Sequence, residues 1–419
     1  MPRSRKTTRG IVLVAFVAAA GVLVAACTPP LPPDVLAAKA ENQITCQSGE
    51  LTVSVPEDFV GSMDAVGQAL AGVCPEQKVT ETVNQADAPL RLVDRAPSTE
   101  EVADFTKTAC TTGDVIVVPA FAYAVALAYN VIGLEGLVLT PQAVAGILDG
   151  TVTSWEDPLI ADANADYDLS GLPDISVLGV EHDQGSVEAM TAWLTKEDPQ
   201  AWPAGVVGIL PSAQAYPTQA DALNDLIANE GAVSVMPAFS AIANGIAVAS
   251  VPVQDTVVSP DDTQLLKVGA GATTLTVAEN GSISASPAIG GVPVDGNFDL
   301  AASKVVLADG QKLLGWPIMG MAHLLICDAP SDPLPLSTAQ YVLRLAGQGA
   351  LETFGVTPLP EPIRLKTFTP LKVKVNLDEA DSSTSPTPAD GGSAAASDAS
   401  SDAPSTTSGD GTEPSAESS

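Results

Sequence analysis

Five cysteines carry most of the covalent chemistry open to this 419-residue chain: Cys27, Cys46, Cys74, Cys110 and Cys327. The last four form an even set without CxxC spacing, which argues for disulfides in an oxidising compartment and against zinc. Cys46 lies just before a predicted strand, Leu51–Val55; Cys74 sits between the helix that follows and a second strand, Lys78–Val83. Of the three possible pairings, a parallel βαβ unit places these two at the same end of neighbouring strands. Cys46–Cys74 is therefore expected, with Cys110–Cys327 by elimination. Other chemistries lack their residues. The chain has only two histidines and neither a Gly-x-Ser-x-Gly elbow nor a Walker-type loop, so we expect no enzyme, no cofactor and no metal. Asp162, Asp166 and Asp168 gather three carboxylates without the glycine and terminal glutamate of a calcium loop; a solvated loop accounts for them.

Cys27 has a different setting. Arg3, Arg5, Lys6 and Arg9 precede an apolar run of 16 residues from Ile11 to Ala26, short of the roughly 20 needed to span a bilayer. The run closes in Val24-Ala25-Ala26-Cys27, which is similar to a bacterial lipobox. We read residues 1–26 as a lipoprotein signal peptide and Cys27 as the lipidation site, bearing diacylglyceryl and a further chain such as palmitate. That makes the protein extracytoplasmic and lipid-anchored to the cell membrane, since two or more acyl chains anchor stably. Residues 27–45, opening Thr28-Pro29-Pro30-Leu31-Pro32-Pro33, read as a stiff tether. Residues 378–419 are Ser, Ala, Thr, Asp, Gly and Pro with nine acids and no base, a composition that predicts a disordered acidic tail. The whole chain sets 50 acids against 18 bases, −32. Without its signal it stands at −36, which excludes nucleic acid as a partner and leaves lipid as the attachment to an anionic bilayer.

The elements that must position any site lie between about residues 46 and 377. Hydrophobic residues make up 46% and aromatics only 4%, so the core must be built from Val, Ala, Leu and Ile. Val60, Met63, Val66 and Leu70 mark one helical face, while Asp114–Pro119 and Tyr123–Tyr129 read as two apolar strands. Thr140, Pro141 and Gly150 cap, open and stop a short helix. Ile175–Val180 reads as a strand feeding the helix Ser186–Thr195, and Ala232–Pro237 as another buried strand. This alternation predicts an α/β fold, its mostly parallel sheets flanked by helices, in two lobes. Val115–Phe121 and Val233–Phe239 agree at five of seven positions, which supports similar lobes; Phe121 and Phe239 are read as core.

Four segments, in chain order, resemble the substrate-binding protein of the bacterial ABC phosphate importer. They are Ala124–Trp155, Gly231–Pro237, Trp316–Ile326 and Phe354–Pro360, the first with an Asn-loop-Leu-Thr helix start and an I-x-x-G turn leading to Trp155. The resemblance implies a divergent member of the periplasmic-binding-protein type 2 fold, its lobes joined by crossover strands around a hinged cleft. Lobe I would take 46–125 and 316–377, and lobe II 126–315. It also implies an ABC permease as partner and phosphate or another small anion as ligand, held by helix N-termini, hydroxyls, one Arg and one Asp. Carried over, the ligand-binding set is Phe59, Asp94, Gln184, Gly185 and Ser186, with Asp94 as proton acceptor and Gln184–Ser186 as the helix start.

The departures from that pattern are as informative. Asp58 stands where the family has Thr, Asn84–Pro89 replaces a donor-rich loop and helix, and Val180 stands where the Arg belongs. Hydrogen bonds to a charged group contribute about 1.5–3 kcal/mol each, so these losses remove roughly 5–10 kcal/mol from a micromolar binder's total of about 8 kcal/mol. Arg91 and Arg95 compensate only if they point into the cleft; both, like His182, are read as solvated. The expected function is a solute-binding-type lipoprotein with a degenerate phosphate site, binding phosphate weakly or taking another ligand. The alternative is a pocketless interaction protein of the cell envelope.

Overall fold

The computed structural model describes residues 43–271, 273–287 and 315–373, together with Lys39 and Glu41. The signal sequence, Cys27, most of the tether and the acidic tail lie outside the described residues. Strand β1 (Gly49–Val55) leads through helix α1 (Ser62–Ala71) to β2 (Gln77–Val83), which lies parallel to β1. Met63, Val66 and Leu70 are buried under this unit, as their spacing predicts; Val60 falls in the turn before α1 and is exposed. After Asn84–Pro89 the chain enters β3 (Leu90–Val93) with no intervening helix, parallel to β1 on its other side. Helix α2 (Thr99–Thr108) is opened by a capping box between Ser98 and Glu101, and β4 (Asp114–Tyr129) follows.

The middle of the chain repeats the pattern. Helices α3 (Pro141–Asp149) and α4 (Pro158–Ala161) precede β5 (Ser176–Val180), α5 (Gly185–Glu197), β6 (Gln214–Tyr216), α6 (Gln219–Ala228), β7 (Ala232–Pro237), α7 (Ala238–Ala243) and β8 (Ala247–Val248). Thr140 caps α3 through its hydroxyl, Pro141 opens it, and Gly150 ends it at φ 81°. Two small hairpins, β9 (Val251–Val253) with β10 (Thr256–Val258) and β11 (Thr273–Val277) with β12 (Ile283–Pro287), flank α8 (Thr263–Gly271). Strand β13 (Met319–Asp328) and helices α9 (Leu334–Val342), α10 (Leu345–Phe354) and α11 (Glu361–Thr367) complete the described chain. None of these helices is long and apolar enough to cross a membrane.

One nine-stranded sheet holds these elements together in the order β2-β1-β3-β13-β4-β7-β5-β6, with β8 beside β4. The outer groups are parallel, β2-β1-β3 on one side and β7-β5-β6 on the other. Strands β4 and β13 run antiparallel through the middle. The first part of β4 pairs with β13 and its last part, Val125–Tyr129, with β7, so one strand belongs to both lobes.

Here the two strands expected from sequence prove to be one. Pro119 does not break β4, because it faces His323 where the β13 register shifts between Ala322 and His323. At a bulge the missing proline N–H removes little. The Ala120 carbonyl, left out of the β4–β13 register, accepts from the Gln348 side chain at 2.9 Å. His323 is fully buried beside the bulge, accepting the Ala285 N–H at Nε2 (2.9 Å) and facing the Met321 carbonyl with Nδ1 (3.0 Å). Burial pushes its imidazole down to about 4, so it is a neutral core residue at physiological pH.

Both expected disulfides are present, with Cα–Cα distances of 5.4 Å for Cys46–Cys74 and 5.1 Å for Cys110–Cys327. The first ties the foot of β1 to the end of the α1 turn; the second joins the foot of β4 to β13. Upstream of Cys46 the chain already packs on the C-terminal helices: buried Arg364 pairs with Glu41 and Glu361, and Arg344 donates to the Gln43 carbonyl at 2.6 Å. Glu41 and Gln43, read from the sequence as tether, are therefore held against the folded core. Replacing both Cys46 and Cys74 by Ala should lower stability by about 3–4 kcal/mol in urea unfolding, the chain-entropy value for a closed segment of this length. A loss under about 1 kcal/mol would contradict a stabilising cross-link.

Candidate ligand-binding cleft

The parallel arrangement puts the carboxyl ends of β1, β3, β5 and β6 around one cleft, and the following helices start there. Helix α5 begins at Gly185 directly after β5, and its first N–H points at the opposite lobe. That N–H donates to Asp94 Oδ2 at 2.5 Å. At the start of α6 the Gln219 N–H donates to Glu57 Oε2 at 2.6 Å. Two helix N-termini, the sites that bind anions in many proteins, are thus occupied by carboxylates from across the cleft.

The guanidinium of Arg95 is equally committed. It pairs with Asp94 (3.1 Å), Glu101 (2.9 Å) and, across the cleft, Glu188 of α5 (2.9 Å). Burial acts to lower its pKa, but the three carboxylates outweigh this and raise it. Arg91 also lines the cleft, its guanidinium over the Phe105 ring at 5.2 Å and bonded to the Ala86 carbonyl. The reading of both arginines as solvated surface residues is corrected: Arg95 is held by its carboxylates, since a cation beside this many acids lowers its energy by pairing, and Arg91 by the Phe105 ring and the Ala86 carbonyl.

Between these contacts lies a cavity of about 270 Å³ whose lining includes Glu57, Asp58, Arg91, Asp94, Gln184 and Gln219, with His182 at an exposed position. Asp58 is the outlier among them. Its Oδ1 is closed off from solvent and has no hydrogen-bond partner. Burial first, then the charges of Asp94 and Glu57, push its carboxyl up to about 7. Gln184 is buried and donates its side-chain N–H to Gln219 Oε1 at 2.8 Å, leaving Gln219 Nε2 sealed without a partner.

The remaining predicted site residues sit elsewhere. Phe59 is fully buried with its ring 5.4 Å from Phe121, 5.0 Å from Tyr123 and 5.8 Å from Phe239. It belongs to an aromatic cluster at the lobe junction and does not line the cavity. Ser186 is buried on α5, its hydroxyl without a partner, and is likewise outside the cavity lining. Asp94 and Gly185 meet directly, while Val180, at the end of β5, is buried. Gly185 has no room for a side chain: a Cβ would lie 2.6 Å from the Asp94 carbonyl oxygen and 2.8 Å from the Tyr123 hydroxyl. That hydroxyl donates to the same carbonyl at 2.6 Å. Asp162, Asp166 and Asp168 are exposed, and Asp168 accepts from Ser170. Among the described residues no three His, Cys, Asp or Glu groups come together to hold a metal ion.

A family model described as a PBP superfamily domain matches residues 22–303. The chain belongs to that superfamily. The phosphate-importer substrate-binding proteins that its sequence resembles are non-enzymatic binding proteins. The fold is similar to a periplasmic phosphate-binding protein, PfluDING, at 16% identity and TM-score 0.53, covering 77% of this chain and 93% of that one. It is similar to the ancestral soluble variant of the human phosphate-binding protein at 15% identity and TM-score 0.52, with the same coverages of 77% and 93%. The phosphate-binding protein from Stenotrophomonas maltophilia gives 17% identity and TM-score 0.50 over 76% and 92%. The superfamily and the two-lobed α/β fold expected from the sequence motifs are those found.

Sequence reasoning missed Glu57, Gln219, Glu101 and Glu188. For Gln219 a signal existed: Thr218 and Asp221 form a helix start whose hydroxyl accepts the Asp221 N–H at 3.1 Å. For Glu101 the Ser98-x-x-Glu101 spacing marked a helix start; for Glu57 and Glu188 there was no signal, because what they meet across the cleft depends on how the lobes close.

The elevated Asp58 carboxyl has a consequence for stability. Its folded pKa of about 7 lies above the 3.8 of an unperturbed Asp, so its contribution is fully present below the unfolded value and is lost as pH rises through 7. Asp58→Asn, which cannot ionise, should gain on the wild type between pH 4 and pH 8, by at most about 4 kcal/mol. An unchanged difference in melting temperature across that range would show that Asp58 ionises freely.

Proposed function

We propose that this protein is an extracytoplasmic solute-binding lipoprotein of an ABC importer whose phosphate site has been converted to another use. The observation that carries this reading is the pair of contacts Asp94–Gly185 and Glu57–Gln219. A phosphate reaching these helix starts would have to displace two carboxylates already bonded there, with Arg95 already paired to one of them, Asp94, and to two more, Glu101 and Glu188. It would do so beside Asp58 and within a strongly acidic chain. Each step costs Coulomb energy that the superfamily's usual geometry supplies as attraction. The space left between the lobes favours a solute-binding role over the pocketless interaction protein. We place the hinge on β4 and β13, with lobe I over 46–125 and 316–377 and lobe II over 126–315.

Phosphate at 1 mM should raise the melting temperature by less than about 1 °C. A micromolar site at that excess would gain about 4 kcal/mol and several degrees, and such a gain would refute the conversion of the site. Anchoring at Cys27 follows from the lipobox and is separately testable. Cys27→Ser should move the protein from the membrane fraction to the soluble one, and unchanged retention would exclude lipid as the attachment.

A further inference from the structure

We propose that the cleft takes a small zwitterion of the α-amino acid class, its ammonium on Asp58 and its carboxylate on Arg91 and Gln219. The inference rests on the solute-binding reading above and deepens it. Three buried polar atoms without a partner belong to residues lining this one cavity: Asp58 Oδ1, Arg91 Nε and Gln219 Nε2. Gln219 is only 6% exposed, and its other amide atom is already bonded to Gln184. Buried polar groups are nearly always satisfied, and an orphan is destabilising. Three at one cavity describe the polarity of what completes it.

That polarity is of both signs. Asp58 offers a carboxyl that an incoming ammonium would hold ionised as an acceptor, while Arg91 and Gln219 offer donors, one of them cationic. A metal ion or simple amine meets Asp58 and leaves both donors empty. An inorganic anion meets the donors and presents its lone pairs to Asp58, Glu57 and Asp94. A molecule with an ammonium at one end and a carboxylate at the other meets all three, and being neutral overall it enters an acidic cleft without net repulsion. The cavity, about 270 Å³, falls below the roughly 300–1,000 Å³ of drug-sized sites, so the molecule is small. The three atoms are closed off in this arrangement, in which Glu57 grips α6 and Asp94 grips α5. Entry therefore requires the lobes to part along those two contacts.

The test is a thermal-shift and calorimetric panel on the purified full-length protein. Probes are glycine, L-alanine, L-serine, L-aspartate and L-lysine, with ethanolamine and acetate as half-ligands and inorganic phosphate alongside. At least one amino acid should raise the melting temperature by several degrees, each half-ligand far less. Asp58→Asn, expected to fold at least as stably as the wild type, should weaken that amino acid's binding tenfold or more. Silence from all amino acids with phosphate also silent would overturn the zwitterion and leave the converted site standing. A large phosphate shift would overturn both. Ethanolamine matching the best amino acid, or Asp58→Asn binding it as tightly as the wild type, would overturn the assignment of the ammonium to Asp58.

Discussion

The arrangement of the cleft depends on a carboxylate from one lobe meeting the N-terminus of a helix in the other. Asp94 accepts from Gly185 at the head of α5, and Glu57 does the same for Gln219 at the head of α6. The helix start carries unsatisfied N–H groups and a partial positive charge, and a buried one must find an acceptor. In a solute-binding cleft that acceptor can be the solute. Here the chain supplies its own, and the remaining chemistry of the site adjusts to it. Arg95 is drawn into a cage of acids, Asp58 is left with no cation to pair with, and its proton is held to near neutral pH.

The scaffold makes this possible by bringing the lobes close at one place. Strand β4 passes from the β13 side of the sheet to the β7 side, and its Phe121 and Tyr123 pack against Phe59; Phe239 bridges Phe59 to Phe354. In a chain with so few aromatics, this concentration gives the lobe junction its largest rigid side chains. Glycines at the contacts do the complementary work. Gly185 lets the head of α5 approach Asp94, and Gly320 lets the Tyr123 ring lie against β13, where a Cβ would come within 2.1 Å of it.

Much of the fold was legible in the residues. The spacing of Met63, Val66 and Leu70, the Thr140-Pro141 start with its Gly150 stop, and the apolar run Ala232–Pro237 are local patterns, and local patterns follow from backbone geometry and side-chain period. The disulfides followed from one more step, the parallel βαβ unit. The misreading of Pro119 as a strand end shows where this stops. Whether a proline breaks a strand depends on what lies opposite, and β13 is some two hundred residues away.

The candidate site divides in the same manner. From sequence alone came the superfamily's architecture and the residue types that stand at its motif positions, Asp58, Asn84–Pro89 and Val180, because each is read directly from a position in the chain. Only the tertiary structure decided which groups meet in the cleft: Glu57 on α6, Asp94 on α5, three carboxylates on Arg95, and the Phe59 ring in the aromatic cluster. Those pairings join residues far apart in the chain whose distances are set by lobe closure, and Coulomb and hydrogen-bond energies depend on distance, which no residue type encodes.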